Sequence, residues 1–175
     1  EAVAMLAAEA ERLAPLSHRI PGRESCVAYD LVPLGAALRT FYEWTGLLRF
    51  VSGVTGELVL FRSSDPLGAL VLSVMIDGDA VVPAAAGPAI QVSVAIGAAA
   101  LGGEVLAGTD VLSIDKPGSL VLWDNTRLAR GVAKVQGRTP RYEARMLFSP
   151  APGADSSDAE KLHRFGRLPG PSRRG

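Results

Sequence analysis

The chain has 175 residues, which is enough for one domain with a sizeable core and too few for two ordinary domains. Its 18 basic and 18 acidic residues balance to a formal charge of zero, so no overall field would draw it to nucleic acid or to an anionic membrane. The single cysteine, Cys26, excludes an internal disulfide and a zinc site built from several thiolates. No apolar run reaches the roughly 20 residues that span a bilayer, and no signal sequence opens the chain, so we expect a cytoplasmic protein.

Two helices are predicted before any long strand. Residues 1–16 place apolar side chains at helical spacing with charged residues between them, which predicts an amphipathic helix that ends near Pro15. Residues 26–32 can form a short strand. A second helix is predicted from about Leu34, and it ends before Gly53.

The rest of the chain alternates apolar and polar residues with a period of two, which is typical of β-strands. Eight short strands are predicted, at residues 57–61, 69–76, 89–96, 103–106, 111–114, 119–123, 131–135 and 141–148. This order predicts an α+β protein with a mostly antiparallel sheet, closed or sandwiched as a barrel or jelly roll. We expect one domain over residues 1–153 and a largely disordered tail over 154–175, which is rich in Pro, Gly, Ser and charge.

Five segments occur in an informative order: FYEWTGLLRFVSGVTG, SSDPLGALVLSVMIDGD, the glycine pair at 102–103, KPGSLVLWDNTRLARGVAKVQG and RYEARMLFSPAPG. In this order the chain resembles the Fe(II)/2-oxoglutarate-dependent oxygenases, and within them the compact bacterial amino-acid hydroxylases and halogenases of natural-product pathways. The resemblance covers about residues 34–153. It implies a double-stranded β-helix, a jelly roll like that of the cupins, flanked by the two N-terminal helices.

The same resemblance implies where an iron site would lie. These oxygenases hold iron through two histidines and one carboxylate, which occupy one face of the metal and leave positions for cosubstrate and oxygen. Laid on this sequence without a gap, the histidines fall on Ala84 and Arg130 and the carboxylate on Ala86. A halogenase would lose only the carboxylate, and the two histidines of the chain, His18 and His163, are too distant in sequence for a shift of register to supply the site. We therefore expect a degenerate member that binds no metal and uses no cofactor.

The last predicted strand bears on what the pocket would hold instead. The resemblance implies that Arg141 is the anchor of the 2-oxoglutarate carboxylate, a role that suits a planar guanidinium. Arg141, Glu143 and Arg145 alternate with an apolar row, so either the charged row or the apolar row faces the interior. Both orientations remain open. Arg130 is likewise either a second interior cation or a strand-edge residue in solvent.

Candidate site residues follow from these positions. Gln91 is the neutral hydrogen-bonding group expected nearest the altered iron site, and Ser93 shares its strand face. We expect catalytic roles for Arg130, Arg141 and Gln91, and substrate contacts from Ala84, Ala86, Ser93, Trp123 and Glu143.

Two functions of different classes fit this sequence. The favoured one is an enzyme that catalyses a cofactor-free cyclisation, isomerisation or elimination on a small-molecule biosynthetic intermediate, by confinement and placed hydrogen bonds. The alternative is a non-catalytic pseudo-oxygenase that binds a ligand or acts as partner subunit of an active homologue. A homo-oligomer and a heteromer are both open. An apolar patch near the FYEW helix and the short segment at 104–115 would favour the alternative.

Overall fold

The computed structural model describes residues 1–84, 90–112, 116–153 and 155–170. Its helices are α1 (Ala2–Leu13), α2 (Ala37–Glu43), α3 (Thr45–Thr55) and α4 (Asp158–Phe165). Its strands are β1 (Ser25–Val27), β2 (Phe61–Arg62), β3 (Leu70–Met75), β4 (Val81–Ala84), β5 (Ile90–Gly97), β6 (Val105–Ala107), β7 (Asp110–Leu112), β8 (Leu120–Asp124), β9 (Arg130–Val132) and β10 (Arg141–Ser149). Within this part of the chain, no helix has both the length and the apolar character needed to cross a bilayer.

The strands form two sheets in which neighbouring strands run antiparallel. The larger sheet has the order β1-β3-β10-β5-β8, with β2 paired to the end of β10, and the smaller sheet has the order β4-β9-β6-β7. The chain leaves the larger sheet after β3, β5 and β8 and returns to it at β5, β8 and β10. This arrangement confirms the predicted mixed class with antiparallel sheets and is compatible with the predicted jelly roll.

One face of the larger sheet packs against the helices. Ala144, Met146 and Phe148 of β10 are fully buried in a single apolar cluster. The helices contribute to it the buried side chains of Leu13, Leu38, Tyr42, Leu47 and Val51. Each large side chain buried in this way contributes about 1.5–3 kcal/mol. This face is therefore the structural core of the protein.

The other face of the larger sheet is turned toward the smaller sheet. Arg141, Glu143 and Arg145 of β10 are all buried, and Arg130 of β9 in the smaller sheet hydrogen-bonds to Glu143. The charged row of β10 thus points between the two sheets. This observation decides the orientation that the sequence left open.

The predicted second helix is in fact two helices. Trp44, with ψ 125°, adopts extended backbone between α2 and α3, and its ring lies so close to Gly46 that a Cβ there would come within 2.2 Å. Both helices direct apolar side chains at the same sheet, which is why the apolar pattern runs on across the break.

Two predicted strand boundaries also differ from the structure. The predicted strand at 57–61 is reduced to β2, and Leu58 is 98 % exposed, so its alternation does not mark a buried face. Residues 81–84, where no strand was predicted, form β4 at the edge of the smaller sheet. The predicted strand at 111–114 is seen as β7, and residues 113–115 lie outside the described residues.

Helix α4 lies within the segment expected to be a largely disordered tail. Its first turn carries a capping box, in which Ser157 and Glu160 each accept a hydrogen bond from the other's backbone N–H. Phe165 packs with Cys26, Leu67 and neighbouring apolar residues beside β1. The capping box was visible in the sequence, but the composition-based expectation did not anticipate this helix; residues 154 and 171–175 lie outside the described residues.

Candidate functional site

Strands β4 and β9 bring two of the three predicted iron-ligand positions together. Ala84 and Arg130 are direct partners in the antiparallel register. The two strands approach closely at Gly131, where a Cβ would come within 2.7 Å of Pro83 Cγ, so a glycine is needed there. Ala86 lies outside the described residues.

Arg130 is a buried interior cation rather than a strand-edge residue in solvent. Its side chain is 7 % exposed, and its Nη2 donates to both carboxylate oxygens of Glu143. The pair joins the smaller sheet to the larger one. At this position the chain carries a cation neutralised by a carboxylate of its own.

Arg141 contacts the same carboxylate from the other side. Its Nη1 lies 2.7 Å from Glu143 Oε2, at an angle unsuited to a hydrogen bond. Gly103 leaves room for this arginine, because a Cβ there would come 3.0 Å from Arg141 Cδ. Gly102 is tighter, with a Cβ position 2.0 Å from the carbonyl oxygen of Lys134. Gly103 therefore allows close packing against Arg141, and Gly102 allows close packing against the backbone of Lys134.

A third arginine extends this cluster toward β1. Arg145 Nη2 lies 2.9 Å from Glu24 Oε1, and Ser73 Oγ donates to the other oxygen of Glu24 over 2.9 Å. Counting Arg130, Arg141 and Arg145 against Glu24 and Glu143, the cluster carries one excess positive charge. Among the described residues, Nε of Arg130, Nε of Arg145 and Nη1 of Arg141 have no hydrogen-bond acceptor.

The charges of the cluster fix its protonation. Burial raises the pKa of Glu143, but the positive charges of Arg130, Arg141 and Arg145 lower it by more, so that the pKa is about 2. The pKa of Glu24 responds in the same way. Burial raises it, and the charges of nearby arginines, of which Arg145 has the largest effect, bring it below its ordinary value. Burial lowers the pKa of Arg130. Both glutamates are consequently anions at neutral pH.

Neutral polar groups lie beside the charged ones on β5 and β8. Gln91 Nε2 donates to Ser93 Oγ over 2.8 Å, and Ser93 also hydrogen-bonds to Glu143. Gln91 is the cross-strand neighbour of Trp123, which is 2 % exposed. The structure thus gathers these predicted site residues on one interior face.

Two spaces lie close to β5 and β8, one on the interior face and one at the helix-facing side of the sheet. The interior cavity, lined by Ser93, Ser119, Val121, Trp123, Arg141 and Glu143 among others, measures about 10 Å³, the scale of one water molecule. The outer cleft measures about 490 Å³ and lies between the end of α3 and residues 122–127. Sequence reasoning missed Ser119 and Val121, although they alternate with Trp123 and so share its face.

Comparison with solved structures places the chain among oxygenase-fold proteins. The non-heme α-ketoglutarate-dependent epimerase SnoN from nogalamycin biosynthesis matches with a TM-score of 0.61 and 15 % identity, over 84 % of this chain and 72 % of that one. The viral collagen prolyl hydroxylase of Paramecium bursaria Chlorella virus-1, in complex with 2-oxoglutarate, matches with a TM-score of 0.55 and 10 % identity, over 81 % and 89 %. The chain has the fold of these oxygenases. No protein-family model and no curated protein sequence matches it.

The residues at the implied iron positions do not fit the metal centre of such an oxygenase. Arg130 is a fixed cation held by Glu143, and a cation at a ligand position repels a metal ion instead of donating to it. Arg141 is paired with Glu143 as well, so a cosubstrate carboxylate would have to compete with the protein's own. Within the described residues, no group of three or more His, Cys, Asp or Glu is placed to hold a metal ion.

Proposed function

We propose that this protein is an iron-independent, double-stranded β-helix relative of the oxygenases that acts in natural-product biosynthesis. It catalyses a cofactor-free cyclisation, isomerisation or elimination on a small-molecule intermediate. The observation that carries the proposal is the buried pair of arginines around Glu143, located where the resemblance implies an iron ligand and a cosubstrate anchor. The shared fold with an epimerase of nogalamycin biosynthesis supports the biosynthetic setting.

The excess positive charge suggests how the interior acts on a substrate. A cyclisation, isomerisation or elimination that passes through an enolate or alkoxide develops negative charge on oxygen, and prearranged cations in a site closed to water stabilise that charge. Arg130 and Arg141 supply the cations, and their unpaired N–H groups supply donors. Gln91 and Ser93 add neutral hydrogen bonds that orient the substrate.

Glu143 has a different role from that of a base. A carboxylate with a pKa of about 2 takes up protons poorly at neutral pH, so it contributes little to general base catalysis. Its charge holds Arg130 and Arg141 at the same place without neutralising both. It is a positioning residue for the two arginines.

The test is turnover without metal. Tag-free protein is incubated with intermediates from its own biosynthetic setting, anaerobically, with EDTA and without 2-oxoglutarate. We expect undiminished turnover, because no step needs iron or oxygen. Loss of turnover on adding EDTA, with recovery on adding Fe(II), would overturn the metal-free mechanism.

A second candidate, the non-catalytic partner of an active homologue, is favoured by one observation. Large apolar side chains are exposed over residues 44–61, including Trp44 (58 %), Phe50 (50 %), Val54 (60 %) and Leu58 (98 %). Exposed apolar surface of this kind is typical of protein interfaces. Sedimentation of the chain with an intact iron-dependent homologue tests it: a complex that Leu58→Glu abolishes supports the partner function, and separate sedimentation at micromolar concentration argues against it.

A further inference from the structure

Helix α4 packs on the interior face of the larger sheet, whereas the three other helices pack on the opposite face. Its Phe165 lies in an apolar cluster with Cys26 and Val71. Cys26 pairs with Ser73 across β1 and β3, and Ser73 pairs with Glu143 across β3 and β10. Because cross-strand partners point to the same face of a sheet, Phe165 covers the face that carries the charged row of β10.

The same helix lies at one end of the space between the sheets. Strand β3 ends at Met75, which packs with Val81 at the start of β4, so these two strands are joined at one end of the interior. The start of β3 and Ala84, the last residue of β4, therefore lie at the other end, where Ala84 pairs with Arg130. Leu67, just ahead of β3, packs in the same apolar cluster as α4. Helix α4 consequently covers part of the end at which two of the implied iron positions lie.

The buried attachment of α4 is concentrated at the two ends of its segment. Five of its eight side chains are exposed, and Lys161 and Phe165 are its buried residues. Ahead of the helix, the N–H and the hydroxyl of Ser156 both donate to the buried carboxylate of Asp65. The segment is thus fixed where it begins, and the far end of the helix depends largely on one aromatic ring.

The remaining contacts of α4 lie at the surface. His163 Nε2 is 3.1 Å from Arg23 Nη1, and Arg167, just beyond the helix, pairs with Asp30. Exposed polar pairs contribute little to stability. An element with few buried apolar contacts opens at a lower free energy than the whole molecule unfolds, so α4 is suited to open by itself.

The interior beneath α4 is closed in this conformation. Its cavity of about 10 Å³ has room for one water molecule, which is far less than a biosynthetic intermediate occupies. A covering element must therefore move before a substrate can reach Arg130 and Arg141.

We propose that α4 is a lid over this end of the interior, which detaches while the two sheets stay folded. The lid regulates access to the buried arginines, and in that purpose it rests on the proposed function. Its opening is a property of the chain itself and occurs without ligand.

Cys26 reports the opening, because it is the single cysteine of the chain and is buried against Phe165. The full chain is mixed with excess dithiobis(nitrobenzoate), and the absorbance of the released thiolate follows the labelling of Cys26. Ser157→Ala removes the N-cap of α4, at the opposite end of the helix from Phe165. It should speed labelling about fivefold, the equivalent of about 1 kcal/mol. Labelling of this variant at the wild-type rate would contradict the lid.

Two control variants separate opening of α4 from other causes. Gly108→Ala, in the turn between β6 and β7, should cost a similar amount of global stability through its positive φ, yet leave the labelling rate unchanged. Leu162→Ala changes an exposed side chain of α4 and should also label as wild type does. If Gly108→Ala speeds labelling as much as Ser157→Ala, Cys26 is exposed by global unfolding and the lid is contradicted.

The labelling experiment is independent of catalysis. It needs neither substrate nor turnover, so failure of the metal-free turnover test leaves a positive labelling result standing. Equally, labelling that contradicts the lid leaves the turnover test standing.

Discussion

Glu143 lies between two buried arginines and holds the interior of the two sheets together. Removing its charge leaves Arg130 and Arg141 buried with no carboxylate between them, whereas removing Arg130 leaves a balanced pair of Arg141 and Glu143. Charge balance around Glu143 alone therefore does not account for the second of the two arginines. Its retention at a buried position is easier to explain by a ligand or a developing oxyanion than by stability.

This asymmetry predicts an order of stabilities. Glu143→Gln should lower the free energy of unfolding by about 3–5 kcal/mol, because two cations lose their counter-charge. Arg130→Met should lower it by clearly less. Urea denaturation followed by circular dichroism measures both. Equal losses in the two variants, or a larger loss in Arg130→Met, would show that the two arginines are not balanced by Glu143.

The pH dependence of the free energy of unfolding should reflect the titration of Glu143. Its folded pKa of about 2 is depressed below the ordinary value of 4.5, so its contribution is present above pH 4.5 and is lost as the pH falls toward 2. The difference between those pKa values corresponds to about 3 kcal/mol. Wild type and Glu143→Gln should therefore differ most at neutral pH and converge in stability toward pH 2. A difference that stays constant over this range would contradict the depressed pKa.

The functional counterpart concerns the two arginines. Arg130→Ala or Arg141→Ala should weaken ligand binding or turnover by about 2 kcal/mol, roughly 30-fold, the scale of a lost charge-assisted contact. Arg138→Ala is the matched control, since that arginine is exposed and lines neither the interior cavity nor the outer cleft. Circular dichroism and thermal melting verify that each variant is folded. If both interior variants bind and turn over ligand as wild type does, the site does not act through the charges of these arginines.

At the scale of elements, the site depends on how closely strands and loops approach one another. Strand β10 is buried on both faces, with an apolar row under the helices and a charged row between the sheets. Gly131 allows β9 to reach β4, and the glycine pair at 102–103 allows the chain to pass close to Lys134 and Arg141. These approaches place Arg130 within reach of Glu143.

A pair of glycine substitutions separates backbone strain from steric contact. Gly102 and Gly108 have similar positive φ angles, +72° and +62°, but a Cβ at Gly102 would lie 2.0 Å from the Lys134 carbonyl oxygen, whereas one at Gly108 meets nothing within 4 Å. Gly108→Ala should cost about 1 kcal/mol from φ alone. Gly102→Ala should cost at least about 2 kcal/mol more, because backbone has to shift. Chemical denaturation of both variants measures the difference, and equal losses would mean that the close approach is not present.

At the scale of the whole molecule, local patterns predicted the elements better than they predicted the site. Helical and alternating periodicity located the N-terminal helices and most strands, because each pattern is set by the face that an element buries. The same patterns could not orient β10, because a row of Arg141, Glu143 and Arg145 is equally typical of a solvent-exposed face and of a charged interior. Its burial depends on Glu24 ahead of β1 and Arg130 on β9, which are distant in sequence. The break at Trp44 and the strand β4 were missed because they depend on packing between elements.

The proposed function requires that the buried arginines around Glu143 take the place of the metal centre of an oxygenase. A Co(II) absorption titration of tag-free protein tests it most directly, with wild type compared against the triple variant Ala84→His, Ala86→Asp and Arg130→His. We expect no stoichiometric binding by wild type, and d–d absorption bands with about one equivalent bound by the triple variant, because ligand side chains then occupy the three implied ligand positions, two of which are direct partners across β4 and β9. One equivalent of Co(II) bound by wild type and lost in Arg130→Ala would contradict the claim.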